Sequence, residues 1–362
     1  MIIRKIGALF LAILLISGIF SCKIFAPRNN AGNKSASAEK IIFPSPPDTA
    51  RIQFLTHISS SDNISGKQSK FNKFIFGEEE PKLIIKPSGV FMRFGKIYVC
   101  DIGYKGLEII DLEKKQFSYF KPGGVGVLKL PLGCYVDEQG KLYVADGKRR
   151  QIVIFDKDGK YLDSFGETGD YKPTGVFVSD NKIWVANVKN HAVHVYDRKD
   201  NKLLFKFPNA EFGEKGYLNQ PTTLWVTNDK VYVSDFGDFK IKIYDKKGNY
   251  LESVGSYGKL PGQFTRPKGV AVDRDDNLFV VDAAFENVQI FDKKNRLLMH
   301  FGGSYKGPGF MSLPIGIAIN YEDSKYFEKY VDSDYELKYI ILVTNQYSPE
   351  KLNVYGRIEM KK

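Results

Sequence analysis

The side chains of this chain best suited to chemistry are cationic, and they recur at fixed points. Lys86, Lys172 and Arg266 each directly precede a proline, Lys268 follows one, and Gln220 holds the same pre-proline place elsewhere. The two remaining pre-proline residues of the series, Leu130 and Leu313, are apolar, and none is acidic. Short segments that follow a recurrent Asp or Asn add Lys148, Arg149, Arg150, His191, Phe236 and Phe239. If the fold brings these residues to one mouth, their like charges focus potential there and attract anions. At about 10 Å and an effective dielectric near 20, each charge contributes about 1.7 kcal/mol before screening. The chemistry implied is capture of an anionic ligand or of a protein partner, not bond-making.

Signatures of catalysis are missing. There is no nucleophile elbow, His-Glu-x-x-His, haem-attachment Cys-x-x-Cys-His or phosphate loop. The histidines His57, His191, His194 and His300 are scattered over outer and third strands, away from any tunnel wall, so no catalytic residue, metal ligand or cofactor is expected. Asp273-Arg-Asp-Asp-Asn277 has the spacing of a calcium loop, but it falls where every repeat has a hairpin turn, and it is read as a turn. Cys100 and Cys134 occupy small or aliphatic positions of predicted strands and read as buried free thiols, with a disulfide as the alternative.

What could gather these scattered cations is a repeat of about 45 residues, present six times from Pro87 onward. Each unit opens at a proline: Pro87, Pro131, Pro173, Pro221, Pro267 and Pro314. Its second strand closes on Asp101, Asp146, Asn187, Asp235, Asp282 or Asn345, and in five units the third strand ends ten residues later. First strands such as Gly269-Val-Ala-Val are continuously apolar, which predicts burial on both faces. Gly in the third position of five units predicts close backbone approach around an axis. Second strands carry Tyr98, Tyr143, Trp184, Tyr232 or Phe279, bulk that fills wedges between sheets. Asp-Lys-Asp-Gly at 156–159 and Asp-Lys-Lys-Gly at 245–248 are hairpin signals. A period of this size in short strands predicts an all-β, six-bladed β-propeller with four-stranded antiparallel blades.

The last unit lacks a fourth strand, and Arg51-Ile-Gln-Phe-Leu-Thr-His57 has the pattern to supply it. The N-terminal strand is therefore expected to close the last blade and hide an open edge. Two segments interrupt the repeat. Residues 59–86 are a long connection expected to cover part of the cationic rim. Residues 321–338, with Tyr326, Phe327, Tyr330 and Val331 at helical spacing, predict a surface helix on the opposite face, available for docking.

Ser256-Tyr-Gly-Lys-Leu-Pro-Gly-Gln-Phe-Thr-Arg-Pro-Lys-Gly-Val-Ala-Val-Asp273, followed by Leu278-Phe-Val-Val-Asp282 and Val288-Gln-Ile-Phe-Asp292, resembles an NHL repeat. The resemblance covers about 51–358 and is strongest in the middle units. The loops after the strand-ending Asp depart from the common form and differ from blade to blade, as a ligand-adapted face would. It implies a binding or scaffold module. Some relatives are lyases or lactonases that hold zinc or calcium near the tunnel. An exported propeller lyase or esterase with a tunnel metal is thus the alternative function, although the ligands it needs are lacking here.

At the N-terminus, Arg4 and Lys5 precede an apolar run from Ile6 to Ile19, too short for a comfortable membrane span. Ile19-Phe-Ser-Cys22 resembles the lipobox of bacterial lipoproteins, with Cys22 the residue that would be lipidated. Residues 1–21 are then a signal peptide, 22–50 a flexible tether and 51–362 the propeller. The expected location is the cell envelope, membrane-anchored by lipid and facing the periplasm or exterior. A net charge of +11 raises a nucleic-acid reading, but no basic and aromatic run tracks a groove and export argues against it. The sequence therefore points to a monomeric, lipid-anchored binding or scaffold module that meets a protein partner or anionic ligand at its tunnel mouth.

Overall fold

The computed structural model describes residues 40–66, 80–166, 169–305 and 307–362. Cys22, the predicted signal peptide and the tether up to residue 39 lie outside the described residues. Within them, six antiparallel sheets each begin at one of the prolines read from the sequence. Blade 2, for example, runs Pro131–Val136, Leu142–Asp146, Gln151–Phe155 and Tyr161–Phe165, from axis to rim. The first strands pack on one another in ring order, and that of blade 6, Pro314–Asn320, packs on that of blade 1, Pro87–Arg93. Almost no helix is present, so the fold is an all-β six-bladed propeller.

Glycine at the third position of the first strand is required by this convergence. A Cβ on Gly89 would lie 2.7 Å from the Cα of Gly133, and one on Gly316 would lie 2.4 Å from the carbonyl oxygen of Ser88. The second-strand aromatics fill the wedges as expected: Trp184, Tyr143, Tyr232, Phe279 and Tyr98 are all buried.

The residue closing each second strand is fully buried and anchors loops. Asp101 accepts the N–H groups of Ile85 (2.6 Å) and Lys86 (2.9 Å) on Oδ2, and those of Gly103 (2.7 Å) and Tyr104 (2.8 Å) on Oδ1. Asp146 does the same for Lys129, Leu130, Lys148 and Arg149, and Asp282 for Thr265, Arg266, Ala284 and Phe285. Each carboxylate ties the segment before its own blade's first strand to the turn before that blade's third strand. The opening proline follows because the two residues before it donate, whereas proline has no N–H to satisfy.

Seven residues beyond that acid, the third strand carries a second buried polar group in several blades. Lys242 pairs with Asp235 (3.0 Å) and Asp238 (2.8 Å), and its ammonium also reaches the Tyr217 carbonyl. Gln289 accepts from the Gly262 N–H (2.8 Å) and donates to the Gln263 carbonyl (2.9 Å). In blade 1 the place belongs to Glu108, which is fully buried, and neither of its carboxyl oxygens has a hydrogen-bond partner among the described residues. Burial, and then the charge of Asp101, push its carboxyl up to about 10.

The sixth blade closes as expected and then goes further. Ile52–Ile58 pairs with Leu352–Met360, which pairs with Tyr335–Asn345. Ile42–Phe43 adds a fifth strand outside it, so residues 40–50 are part of the propeller and not of a flexible tether. The insertion also differs from expectation. Instead of a surface helix it forms two short 3-10 turns, Ser324–Tyr326 and Glu328–Tyr330, with Phe327 buried. Asp323 accepts the Gly95 N–H (2.9 Å), Asn320 donates to the Met92 carbonyl (3.1 Å), and Gln53 donates to the Tyr330 carbonyl (2.9 Å). These bonds, and the burial of Phe327, turn a predicted docking element into a clamp between blade 6, blade 1 and the latch strand. In the 59–86 connection, Leu83 bridges to Ser60 and bonds Tyr119 through both its N–H (2.7 Å) and its carbonyl (2.9 Å), against the outer strand of blade 1.

Two outcomes follow. Deleting residues 40–58 removes the buried Ile52, Leu55 and Ile58 together with two strands, so circular-dichroism melting should fall cooperatively by on the order of 10 °C or more; an unchanged melt would contradict the latch. Glu108→Gln should stabilise the fold. The native state keeps this proton up to about pH 10 while the unfolded chain loses it in the ordinary carboxylate range. Stability therefore drains as pH rises through that window, and the Gln variant's advantage should vanish in acid and grow toward alkaline pH in urea titrations.

Candidate functional site

All of the described candidate residues sit on the face where first strands begin and second strands end. The turns that carry many of them share one backbone device. Four residues after the strand-closing Asp or Asn, Lys105, Arg150, His191, Phe239 and Glu286 all have left-handed backbones, with φ between 53° and 61°. This conformation costs a non-glycine residue about 1 kcal/mol, and the anchored carboxylates hold it.

Three of the candidates meet in one depression. Lys148, Arg150 and Lys172 line a cavity of about 350 Å³ between blades 2 and 3, together with Lys189, Tyr171, Leu130 and Gly147. Asp170 is the one carboxylate among these lining residues. Arg150 donates to the Gly169 carbonyl (3.0 Å). Lys172 is placed through its backbone, whose N–H bonds the Asn187 side chain at 2.9 Å.

Lys268 lies apart, on the wall of the central tunnel, whose cavity is about 100 Å³. Its ammonium stands 3.9 Å from the centroid of the Phe236 ring. Burial, and then the charge of Arg266, pull its pKa down to about 8. Arg266 itself is exposed, and Lys86 lies 5.6 Å from the Tyr347 ring centroid. Gln220 is exposed and is held by its backbone, bonded to Asp235 at 2.7 Å.

The other candidates are engaged elsewhere. Arg149 turns sideways and donates to the Val125 and Val127 carbonyls, both at 2.8 Å, and to the side chain of Gln151. His191 bonds the Asn219 carbonyl through Nδ1 (2.6 Å) and stacks on Tyr217, stitching blade 3 to the loop entering blade 4. Phe239 packs on Tyr257 at 4.7 Å. Cys100 and Cys134 are buried and unbridged, and burial pushes the Cys100 thiol up.

Among the described residues no group of three or more His, Cys, Asp or Glu side chains is placed to hold a metal. Gly, aliphatic, Thr and aromatic residues, Cys134 and Lys268 line the tunnel. Its far end is narrowed by Phe91, Tyr135, Phe177 and Trp225, one from each of blades 1 to 4. All four stand two residues beyond the third position of the first strand, a periodic signal that sequence reasoning passed over.

A protein-family model described as a 6-bladed beta-propeller (DUF5128) matches residues 211–360. No curated protein matches the chain. Among solved structures, a structural genomics protein of unknown function from Bacteroides thetaiotaomicron is similar over 85% of this chain and 76% of its own, at 13% identity and a TM-score of 0.57. A streptogramin B lyase covers 76% of this chain and 84% of its own, at 13% identity and a TM-score of 0.52. A catalytically inactive virginiamycin B lyase from Staphylococcus aureus, determined with quinupristin, covers 75% and 95%, at 12% identity and a TM-score of 0.52. At such identities the likeness shows the fold alone.

The Lys268 environment gives a measurable outcome. Acylation by an N-hydroxysuccinimide ester, followed residue by residue with mass spectrometry, should reach half its maximal rate at Lys268 near pH 8, the value its surroundings impose. Exposed lysines should keep accelerating well above that pH. A Lys268 profile like theirs would refute the depressed value.

Proposed function

We propose that this chain is an NHL-type propeller held outside the cytoplasm by lipid on Cys22, and that it acts as a binding or scaffold module. Its tunnel-mouth face takes an anionic group, free or on a protein partner. One observation carries this reading: Lys148, Arg150, Lys172 and Lys189 converge on one cavity against a single carboxylate among the described lining residues. Four like charges in a concave site raise the local concentration of anions and speed encounter with an acidic surface. Lys268 in the tunnel wall adds a charge that falls away as pH rises through about 8. Anion capture should therefore weaken above that pH.

The alternative, a propeller lyase or esterase with a tunnel metal, draws no support from the residues present. The lining of the tunnel offers neither carboxylate nor imidazole. The likeness to the lyases among the structural neighbours shows the architecture alone.

The test is affinity capture from native membranes with the wild-type protein and with a Lys148→Ser/Arg150→Ser/Lys172→Ser variant. The variant should fold and melt as the parent does, because these side chains are on the surface. Partners retained by the parent at low salt should be lost by the variant and released from the parent by added salt. An identical set of captured proteins from both would sink the proposal.

A further inference from the structure

On the face opposite the tunnel mouth lies a basin of about 460 Å³, within the size range of small-molecule sites. Its floor is the aromatic arc. Phe91, Tyr135, Phe177 and Trp225 follow one another with ring centroids 4.4, 4.7 and 5.3 Å apart and planes inclined by 40° to 59°. Blades 5 and 6 carry Ala271 and Ala318 at the same strand position, which leaves that side of the floor open toward Val272 and Ile319.

The rim is polar and of mixed sign. Arg93, from blade 1, holds its guanidinium 5.9 Å from the centroids of both Phe91 and Tyr135, and it makes no ion pair among the described residues. Across the ring, Asp229 and Asp276 line the basin, also without an ion pair among the described residues. Arg274 completes the edge, lying 4.0 Å from the Tyr321 ring centroid and paired with Glu322 at 2.7 Å.

We infer that this basin binds a neutral oligosaccharide, across its aromatic floor. Rings spaced this closely leave no slot for a cation between two faces, so the floor is a run of tilted aromatic rings, half-buried at Phe91 and Trp225 and buried at Tyr135 and Phe177, and not an ammonium cage. A ligand of either net charge would meet carboxylates and a guanidinium together. A sugar ring satisfies both surfaces at once: its flat C–H face covers Trp225 and the neighbouring rings, and its hydroxyls donate to Asp229 and Asp276 and accept from Arg93. Such hydrogen bonds to charged groups are the stronger kind. This site is separate from the cationic mouth and does not depend on what binds there.

Trp225 reports on the site. The chain has two tryptophans, and Trp184 is fully buried, so ligand-dependent emission comes from the basin. The intact protein is titrated with hexasaccharides of glucose, xylose and mannose in α and β linkage, following tryptophan emission and, in parallel, calorimetric heat. At least one of them should give a saturable emission change. Asp229→Asn/Asp276→Asn, which leaves the floor in place, should weaken that binding by at least about tenfold. Trp225→Phe should abolish the emission change while calorimetry still detects binding. The Lys148→Ser/Arg150→Ser/Lys172→Ser variant should bind the sugar like the parent. Absence of saturable binding by every sugar tested would overturn the inference, as would affinity unchanged in the Asp variant or lost in the mouth variant.

Discussion

A buried carboxylate at the end of the second strand holds each of four blades to its neighbouring turns. Asp101, Asp146, Asp235 and Asp282 are fully buried, yet their lone pairs are directed at backbone N–H groups. A buried charge is costly unless fully bonded, and here the bonds come from two loops that have no ladder partners of their own. The carboxylate and the loops thus satisfy each other. In blade 3 Asn187 takes over, accepting the Lys172 N–H on its amide oxygen, whereas in blade 6 Asn345 donates to the Glu350 carbonyl and its Oδ1 has no partner among the described residues. The acids that recur most regularly in this chain are therefore structural, and they leave the face free to vary around a fixed frame.

Ring closure is the second constraint, and it is met redundantly. The latch strand Ile52–Ile58 completes the sixth sheet, the insertion after Asn320 grips Gly95 and Met92 of blade 1, and Gln53 is bonded on both sides to that insertion. Phe301, from the outer strand of blade 5, packs on Tyr355 of blade 6 at 4.8 Å. The junction between first and last blades is consequently held by their packed first strands and by the insertion, while Phe301 secures the last blade on its other side.

The ring was legible in the sequence because its determinants are local and periodic: proline at the strand start, glycine where backbones touch, an aromatic in the second strand of five units, and Asp or Asn at that strand's end. Departures from the period were harder to read. Ile42–Phe43 is too short to stand out beside Pro44-Ser-Pro-Pro47, and only its pairing with Ile52 and Gln53 makes it a strand. The helical spacing of Tyr326, Phe327 and Tyr330 misled because burial of Phe327 and capture of Asp323 by Gly95 decide that segment's shape. At the candidate site, residue type and strand position placed the cations on one common face. They could not distinguish Arg149, drawn off to carbonyls of the preceding loop, from Arg150 and Lys148, which share a cavity. The depressed pKa of Lys268 was likewise invisible, since it arises from a tunnel wall assembled by distant strands.

The outermost two-residue strand has a mechanical meaning. Ile42–Phe43 is fastened by a few bonds, among them Arg51 N–H to the Phe43 carbonyl and Phe54 N–H to the Ile41 carbonyl, both 2.9 Å. A pull applied at Lys40 loads this short pairing before it reaches Ile52–Ile58. Yielding there would release residues 42–51 as slack, ~30 Å of chain at full extension, while the closed ring behind them stayed whole. Under such a load the two-residue pairing, with the fewest bonds of any strand in its sheet, would yield first and the closed ring afterwards.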